Sequence, residues 1–435
     1  MSNTPKFKHP IYDQQERRVK LCNDMYNGYD TAKEYLVQTP NENADDFKVR
    51  VELATYNNIF ERIITSQVGQ VYRKQIIFDD VPEAYIDWLE DIKFEQRLAD
   101  ATTRADIDGK GLLMIDMPVD GGDPYLISIK RESLLNWRIE NGVFTMAVIL
   151  EYYEEREDFE IKYLPQYRVL KEDGNIDIWR EINGAFAVFD TITTSYDFIP
   201  LYLFDFGDVP PMYNIAVMSK NMFNCSTMTD NAIRKATDPS LLTVGLGLDS
   251  NSNLKLGVNA TINTDNPEAR VEWIELNGAS IPIAKEDLRD QLRAIAERAL
   301  QLDQVGVDQN KTATQVNREN AESNARLSDM SSIMEYGAND VYAGLVRMKY
   351  NTEATGKIVF ARDFKDEGIA NQFVSQMTQL WVAGAIPHKI LLETLVEKEQ
   401  LVIDDIDEAI RMANEEGVPN EEITDDQPFN KPASK

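Results

Sequence analysis

The chain has 435 residues, 43% of them hydrophobic, which is enough for two or three domains and a substantial core. It carries 74 Asp and Glu against 45 Lys and Arg, for a net charge of −29. That balance excludes non-specific gripping of nucleic acid or of an anionic membrane through a basic face. It leaves open a protein that lets DNA pass without holding it. Cys22 and Cys225 offer neither a disulfide framework nor zinc spacing, and read as reduced thiols of a cytosolic environment. No apolar run reaches 18 residues, so no membrane span is expected, and "MSNTPKFKHPIYDQQERR" lacks the apolar stretch of a signal peptide. His9 and His388 have no ligand partner at helical spacing, which sets aside Ser-His-Asp and Cys-His chemistry.

Residues 12–107 read as helical. The stripes are Val19, Cys22, Met25 and Tyr26, then Phe47, Val51, Ala54, Ile59 and Ile63, then Tyr85, Trp88, Leu89, Ile92 and Leu98. From 111 to 205 the period changes. "GLLMID" and "YLISI" read as strands, and Asn141-Gly142, Asp173-Gly174 and Asn183-Gly184 suit two-residue hairpins. The whole stretch reads as an antiparallel meander. A helix follows over 212–236, then a β-rich insert over 240–283 and a helix over 284–302.

The segment 303–311 breaks the pattern, and a helix is expected from 312 to about 350. Its first turns, "KTATQVNRENAESN", contain only Val316 as a sizeable apolar group, and the apolar stripe starts at Leu327. A strand is expected at "KIVF" (357–360), with helices at 366–383, 388–397 and 404–414. Residues 415–435 form an acidic tail expected to be disordered. The fold class is α+β and mainly helical.

Three motifs invite a chemical reading. "GLLMID" resembles the strand-plus-Asp half of an NTPase metal site, with Asp116 as ligand, but no partner motif accompanies it. "GVDQNKT" (306–312) lacks the second glycine of a phosphate-cradling loop. "GLG" (245–247) has no third glycine. The carboxylate runs at Glu154, Glu155, Asp158 and Glu160 and at Asp404, Asp405, Asp407 and Glu408 read as solvated faces. No cofactor and no metal is expected, and the chain is not expected to be an enzyme.

The order of elements, with the words "FKVRVELATYNNIFERIITSQVGQVYRK", "GKGLLMIDMP", "PYLISIKRESLLNWR", "EREDFEIKYLPQYRVL" and "KTATQVNRENAESNARL", resembles the portal proteins of tailed bacteriophages over residues 12–360. The resemblance implies a homo-oligomeric ring of twelve copies at one capsid vertex, in the virion after assembly in the host cytoplasm. Its implied partners are the major capsid protein, the terminase large subunit, head-completion, adaptor or tail proteins, and double-stranded DNA passing through without tight or sequence-specific binding. No membrane is involved.

By the same resemblance, residues 1–211 are mostly wing, in a helical part (1–110) and a β-rich part (111–211). Residues 212–238 and 284–302 are the stem helices, and 239–283 the clip. Residues 303–311 are the tunnel loop, 312–360 the spine helix and strand, and 361–414 the crown. Twelve copies carry about −350 in formal charge, and screening leaves each charge a reach of about 8–10 Å. By the positions that the resemblance maps to stem, tunnel loop and clip, Asp287, Asp290, Arg293, Asp303, Asp308 and Lys311 are expected to line the channel, and Asp249, Asn251, Asn253 and Asn277 to meet docking partners. The alternatives are a packaging NTPase or nuclease subunit built on the Asp116 strand, and a different head–tail adaptor ring.

Overall fold

A computed structural model describes residues 4–118, 121–237, 240–244, 266–274, 280–299, 313–362, 364, 377–381, 387–397, 406 and 410–411. The fold is α+β. The chain divides into two compact units, residues 1–363 and 364–435.

Helix α1 spans Pro10–Asn27. His9 caps it, with Nδ1 accepting from the Ile11 amide at 3.2 Å, and Pro10 supplies a first-turn residue that has no amide to satisfy. A short turn, α2 (Tyr29–Ala32), follows. The second expected stripe is two helices, α3 (Ala44–Glu52) and α4 (Ile59–Val71). The break is written in Asn58, whose side-chain oxygen caps α4 on Glu61 N while its amide donates to Tyr26 O at 2.8 Å. The third stripe also divides, into α5 (Glu83–Asp91) and α6 (Phe94–Asp108), at Lys93 with φ +56°.

Within this helical region lies a strand that periodicity did not show. β1 (Ile77–Asp79) pairs antiparallel with Lys357–Val359, with Ile77 opposite Val359. Its partner stands some 280 positions away in sequence, and three residues give no period to read.

The expected single meander is two sheets. β2 (Lys110–Asp116) is the centre of one, between β3 (Tyr125–Ile129) and the returning β9 (Leu201–Asp205). Strands β4 (Leu134–Glu140), β5 (Val143–Glu157), β6 (Glu160–Lys171), β7 (Ile176–Ile182) and β8 (Ala185–Ile192) form the other in sequence order. Leu112, Met114, Phe144, Ala147, Ile149, Leu170 and Ile178 fill the core they share.

Two of the three expected hairpins have positive φ at both central residues: Asn141 (53°) with Gly142 (82°), and Asn183 (55°) with Gly184 (79°). At Asp173-Gly174 only the glycine does. There Gly174 N bonds Lys171 O and Lys171 N bonds Asn175 O, so the turn is one residue longer than expected.

Helix α7 (Tyr213–Thr237) leads into β10 (Ser240–Val244), which pairs with β11 (Arg270–Ile274). Helix α8 (Ser280–Arg298) then packs back on α7. It starts four residues before the expected 284, so 280–283 belong to the helix and not to the insert. Pro282 is tolerated there because first-turn amides need no helical partner. The "NATINT" run lies outside the described residues.

Helix α9 (Ala313–Tyr350) runs for 38 residues, about 57 Å at 1.5 Å per residue. Leu327, Met330, Met334, Val341 and Leu345 are buried along it. It crosses β9 closely: Gly337 lies over Phe204 and Gly344 over Tyr202. β12 (Lys357–Val359) closes the first unit. The second contains α10 (His388–Glu397), with Leu391 and Leu395 buried. The expected helices at 366–383 and 404–414 lie largely outside the described residues, and the tail wholly so.

Candidate interface: the α7–α8 pair and its ties

Helix α7 buries Ile215, Ala216, Met222 and Phe223 against α1 and α4, and Ile295 of α8 and Ala299 just past its end add to the same cluster. The two helices are therefore anchored at their hairpin-distal ends. Along its length α7 is tied to the N-terminal region by polar groups. Asn224 accepts from Val37 N at 3.0 Å and donates to Tyr35 O at 3.0 Å. Thr227 accepts from Arg50 Nη1 at 2.9 Å. Nearer the hairpin, Lys235 pairs with Asp46 at 3.2 Å.

The Arg50 site is the deepest of these ties. Its guanidinium, 1% exposed, holds Glu42 through Nε–Oε1 at 2.8 Å and Nη2–Oε2 at 2.9 Å, and donates to Val37 O at 2.7 Å. The bond from Arg50 holds the Glu42 carboxyl below its usual range against the cost of burial. Sequence reading passed over both residues. The signal was there: an arginine inside the apolar stripe Phe47–Val51–Ala54 needs a buried acceptor.

The outward side of α8 has a charge order. Successive residues turn by about 100°. Leu288, Leu292, Ile295 and Ala299 form the inward stripe. Glu286, Asp290 and Glu297 fall opposite it and are exposed, while Lys285, Arg289 and Arg293 fall on one flank. Asp287 is exposed and accepts from Gln291 at 2.6 Å. Arg293 is half-buried. Of the expected channel residues, Asp287, Asp290 and Arg293 thus share one helix, and the first two face outward. Asp303, Asp308 and Lys311 lie outside the described residues, as do Asp249, Asn251, Asn253 and Asn277.

Two carboxyls with large upward shifts lie elsewhere, at the end of α6. Burial raises Asp106 to about 6 although Arg326 reaches it at 2.8 Å, and burial raises Asp108 to about 7, with Arg104 and Asn23 opposing. The negative end of the helix dipole adds to the cost of charging both. Asp106 ties α6 to α9, and Asp108 faces Asn23 of α1. These contacts account for both carboxyls as structural.

Asp116 is committed as well. It pairs with Arg168 at 2.9 Å, and Arg168 also pairs with Glu151 at 2.9 Å, which joins the two sheets. Burial pushes the Cys22 thiol up, away from nucleophile chemistry. Among the described residues, no group of three His, Cys, Asp or Glu is placed to hold a metal ion. Among them, too, no helix is long and apolar enough to cross a membrane.

A family model described as Domain of unknown function (DUF4055) matches residues 211–343, from the start of α7 into α9. No curated protein matches. Among the solved structures similar to the chain are three from gene transfer agent particles. One is from the virion of a native gene transfer agent (GTA) particle: 14% identity, 85% of this chain and 98% of that one covered, TM-score 0.43. Another is from the neck of the empty GTA particle computed with C6 symmetry: 14% identity, 78% and 89% covered, TM-score 0.42. The third is from the neck of the native GTA particle computed with C12 symmetry: 12% identity, 78% and 89% covered, TM-score 0.40.

Proposed function

We propose that the chain is a phage-type portal protein. In this reading it forms a closed ring, twelvefold by family resemblance, at one vertex of a capsid, where DNA enters and leaves. Helices α7 and α8 are the stem, β10 and β11 the described part of the clip, α9 the spine, and the second unit the crown. The clip docks the terminase large subunit during packaging and head-completion, adaptor or tail proteins afterwards. The major capsid protein surrounds the wing.

One observation carries the reading: a helix–hairpin–helix whose second helix turns Glu286, Asp290 and Glu297 directly away from its buried stripe. In a ring with that face inward, carboxylates within a screening length of DNA repel its phosphates and keep it moving. The protein itself performs no reaction in this scheme. The Asp116–Arg168 ion pair weighs against the NTPase alternative, in which Asp116 would be the metal ligand.

The test is the particle mass and class averages of the purified full chain. A closed ring with an axial channel supports the portal reading. A different closed assembly without a channel removes it.

A further inference from the structure

One turn of the five-stranded sheet departs from the chemistry of the rest. Asn141-Gly142, Asp173-Gly174 and Asn183-Gly184 carry glycine, whereas the turn between β5 and β6 is Asp158-Phe159. Asp158 takes a left-handed φ of 50°, which such turns favour, but a phenylalanine serves no conformational purpose beside it. The Phe159 ring is fully exposed at the tip of a two-stranded ribbon about 20 Å long, in which Tyr152–Glu157 pair solely with Glu160–Pro165. Such a ribbon is marginal in water by itself. Tyr152, Ile161 and Tyr163 share one of its faces and are 63%, 48% and 65% exposed. Large apolar groups gathered in one exposed place mark an interaction site. Arg156 and Lys162 are matched by Glu154 and Glu157, so Glu155, Asp158 and Glu160 leave the tip negative.

A complementary cavity of about 190 Å³ lies toward the other end of β5. Leu112, Leu134, Phe144 and Arg131 in its wall are buried, while Ile11 and Ile139 at its rim are 40% and 39% exposed. An apolar cavity of about 150 Å³ holds a benzene ring. Arg131 is 3% exposed. Its Nη2 donates to Gln15 at 2.9 Å, and Nε and Nη1 have no partner among the described residues. Burial raises the neighbouring Asp108 to about 7, which leaves Arg131 only part of a counter-charge. Asp205 and Asp208, also in the wall, are already paired with Lys110 at 2.7 and 3.3 Å. A buried cation with idle donors beside an apolar hole suits an apolar side chain that has a carboxylate next to it. Phe144 and Glu157 stand roughly 43 Å apart along β5, so the tip cannot fill the cavity of its own chain. A head-to-tail ring needs two different complementary surfaces of this kind, facing opposite ways.

We infer that the tip of the β5–β6 ribbon of one subunit enters the Arg131 cavity of the next copy, with the Phe159 ring inside and the Asp158 carboxylate toward the guanidinium. The inference rests on the ring reading and names the contact that closes it.

Full-length chains in which Cys225→Ser removes the half-buried thiol test it alongside particle mass. One chain adds Glu160→Cys at the tip, another adds Ile139→Cys at the rim, and a short bis-maleimide joins them. An equimolar mixture is expected to give covalent dimers roughly tenfold or more above either chain alone. Adding Phe159→Gly to the Glu160→Cys chain should return the yield to that control level. Asp158→Asn on the same chain and Arg131→Met on the other should each lower the yield several-fold, and together no further than either alone. A ring by mass with no dimer above the controls, or with a dimer that Phe159→Gly does not change, overturns this contact and leaves the ring standing. A chain that stays monomeric at every concentration overturns both.

Discussion

Arg50 and Glu42 meet in two parallel bonds of 2.8 and 2.9 Å, with side chains 1% and 5% exposed. The same guanidinium reaches Thr227, so this pair ties α7 to the N-terminal helices. The fork geometry of arginine suits the site, and a lysine could not reproduce it.

Arg50→Ala should therefore destabilise the fold by about 3–5 kcal/mol, because Glu42 remains buried without a counter-charge. Urea unfolding of the full chain measures this, and a loss under about 1 kcal/mol would sink the account. The pH sign follows from the lowered Glu42 carboxyl. Its contribution is present above the ordinary carboxylate range and is lost as pH falls through the lowered folded value. Glu42→Gln should remove that part of the acid sensitivity.

Asp108 has the opposite sign. Burial raises it from 3.8 to about 7, so the folded state holds its proton more tightly than the unfolded one. Its favourable contribution is complete below pH 3.8 and disappears as pH rises through about 7. Asp108→Asn should gain stability relative to the parent chain between pH 5 and pH 8. Melting temperatures across that range check this, and parallel curves for the two proteins would rule it out.

Long helices and turn chemistry were legible because they are local. Asn-Gly pairs name their own turns, and the α7, α8 and α9 stripes repeat over many turns. The short β1 was not legible, since its identity depends on a partner at Val359. The split into two sheets was not either, because nothing in Leu201–Asp205 says that it returns to β2. For the candidate site, sequence picked out the outward carboxylates Asp287 and Asp290. It missed the Arg50–Glu42 clamp, which becomes visible only when a charged residue in an apolar stripe is asked for its partner.

Gly337 and Gly344 stand seven residues apart, two turns on one face of α9, and meet Phe204 and Tyr202 of β9. An added Cβ at 337 comes within 2.4 Å of the Phe204 ring, which is fully buried. Alanine normally gains about 1 kcal/mol over glycine in a helix interior, whereas overpacking costs about 1–3 kcal/mol. The clash should win. Gly337→Ala should destabilise, and Phe204→Leu added to it should recover part of the loss. A Gly337→Ala chain more stable than the parent would show that α9 does not press on β9 this closely.

Asp287 and Asp290 are exposed, so their replacement should change stability by no more than about 0.5 kcal/mol. Their effect should appear with DNA. In the assembled ring, Asp287→Lys with Asp290→Lys places two new cations per subunit where the proposed channel wall repels phosphate. Retention of linear double-stranded DNA should rise from negligible to measurable at low salt. It should fall steeply with added salt, with a slope in log affinity of about 0.9 per phosphate neutralised. The charge-neutral Asp287→Asn, Asp290→Asn ring should show little retention, which separates attraction from mere loss of repulsion. If the lysine ring binds DNA no better than the parent, α8 does not turn this face toward the DNA path. The acidic stripe opposite Leu288, Leu292 and Ile295 must then serve subunit contacts or solubility instead.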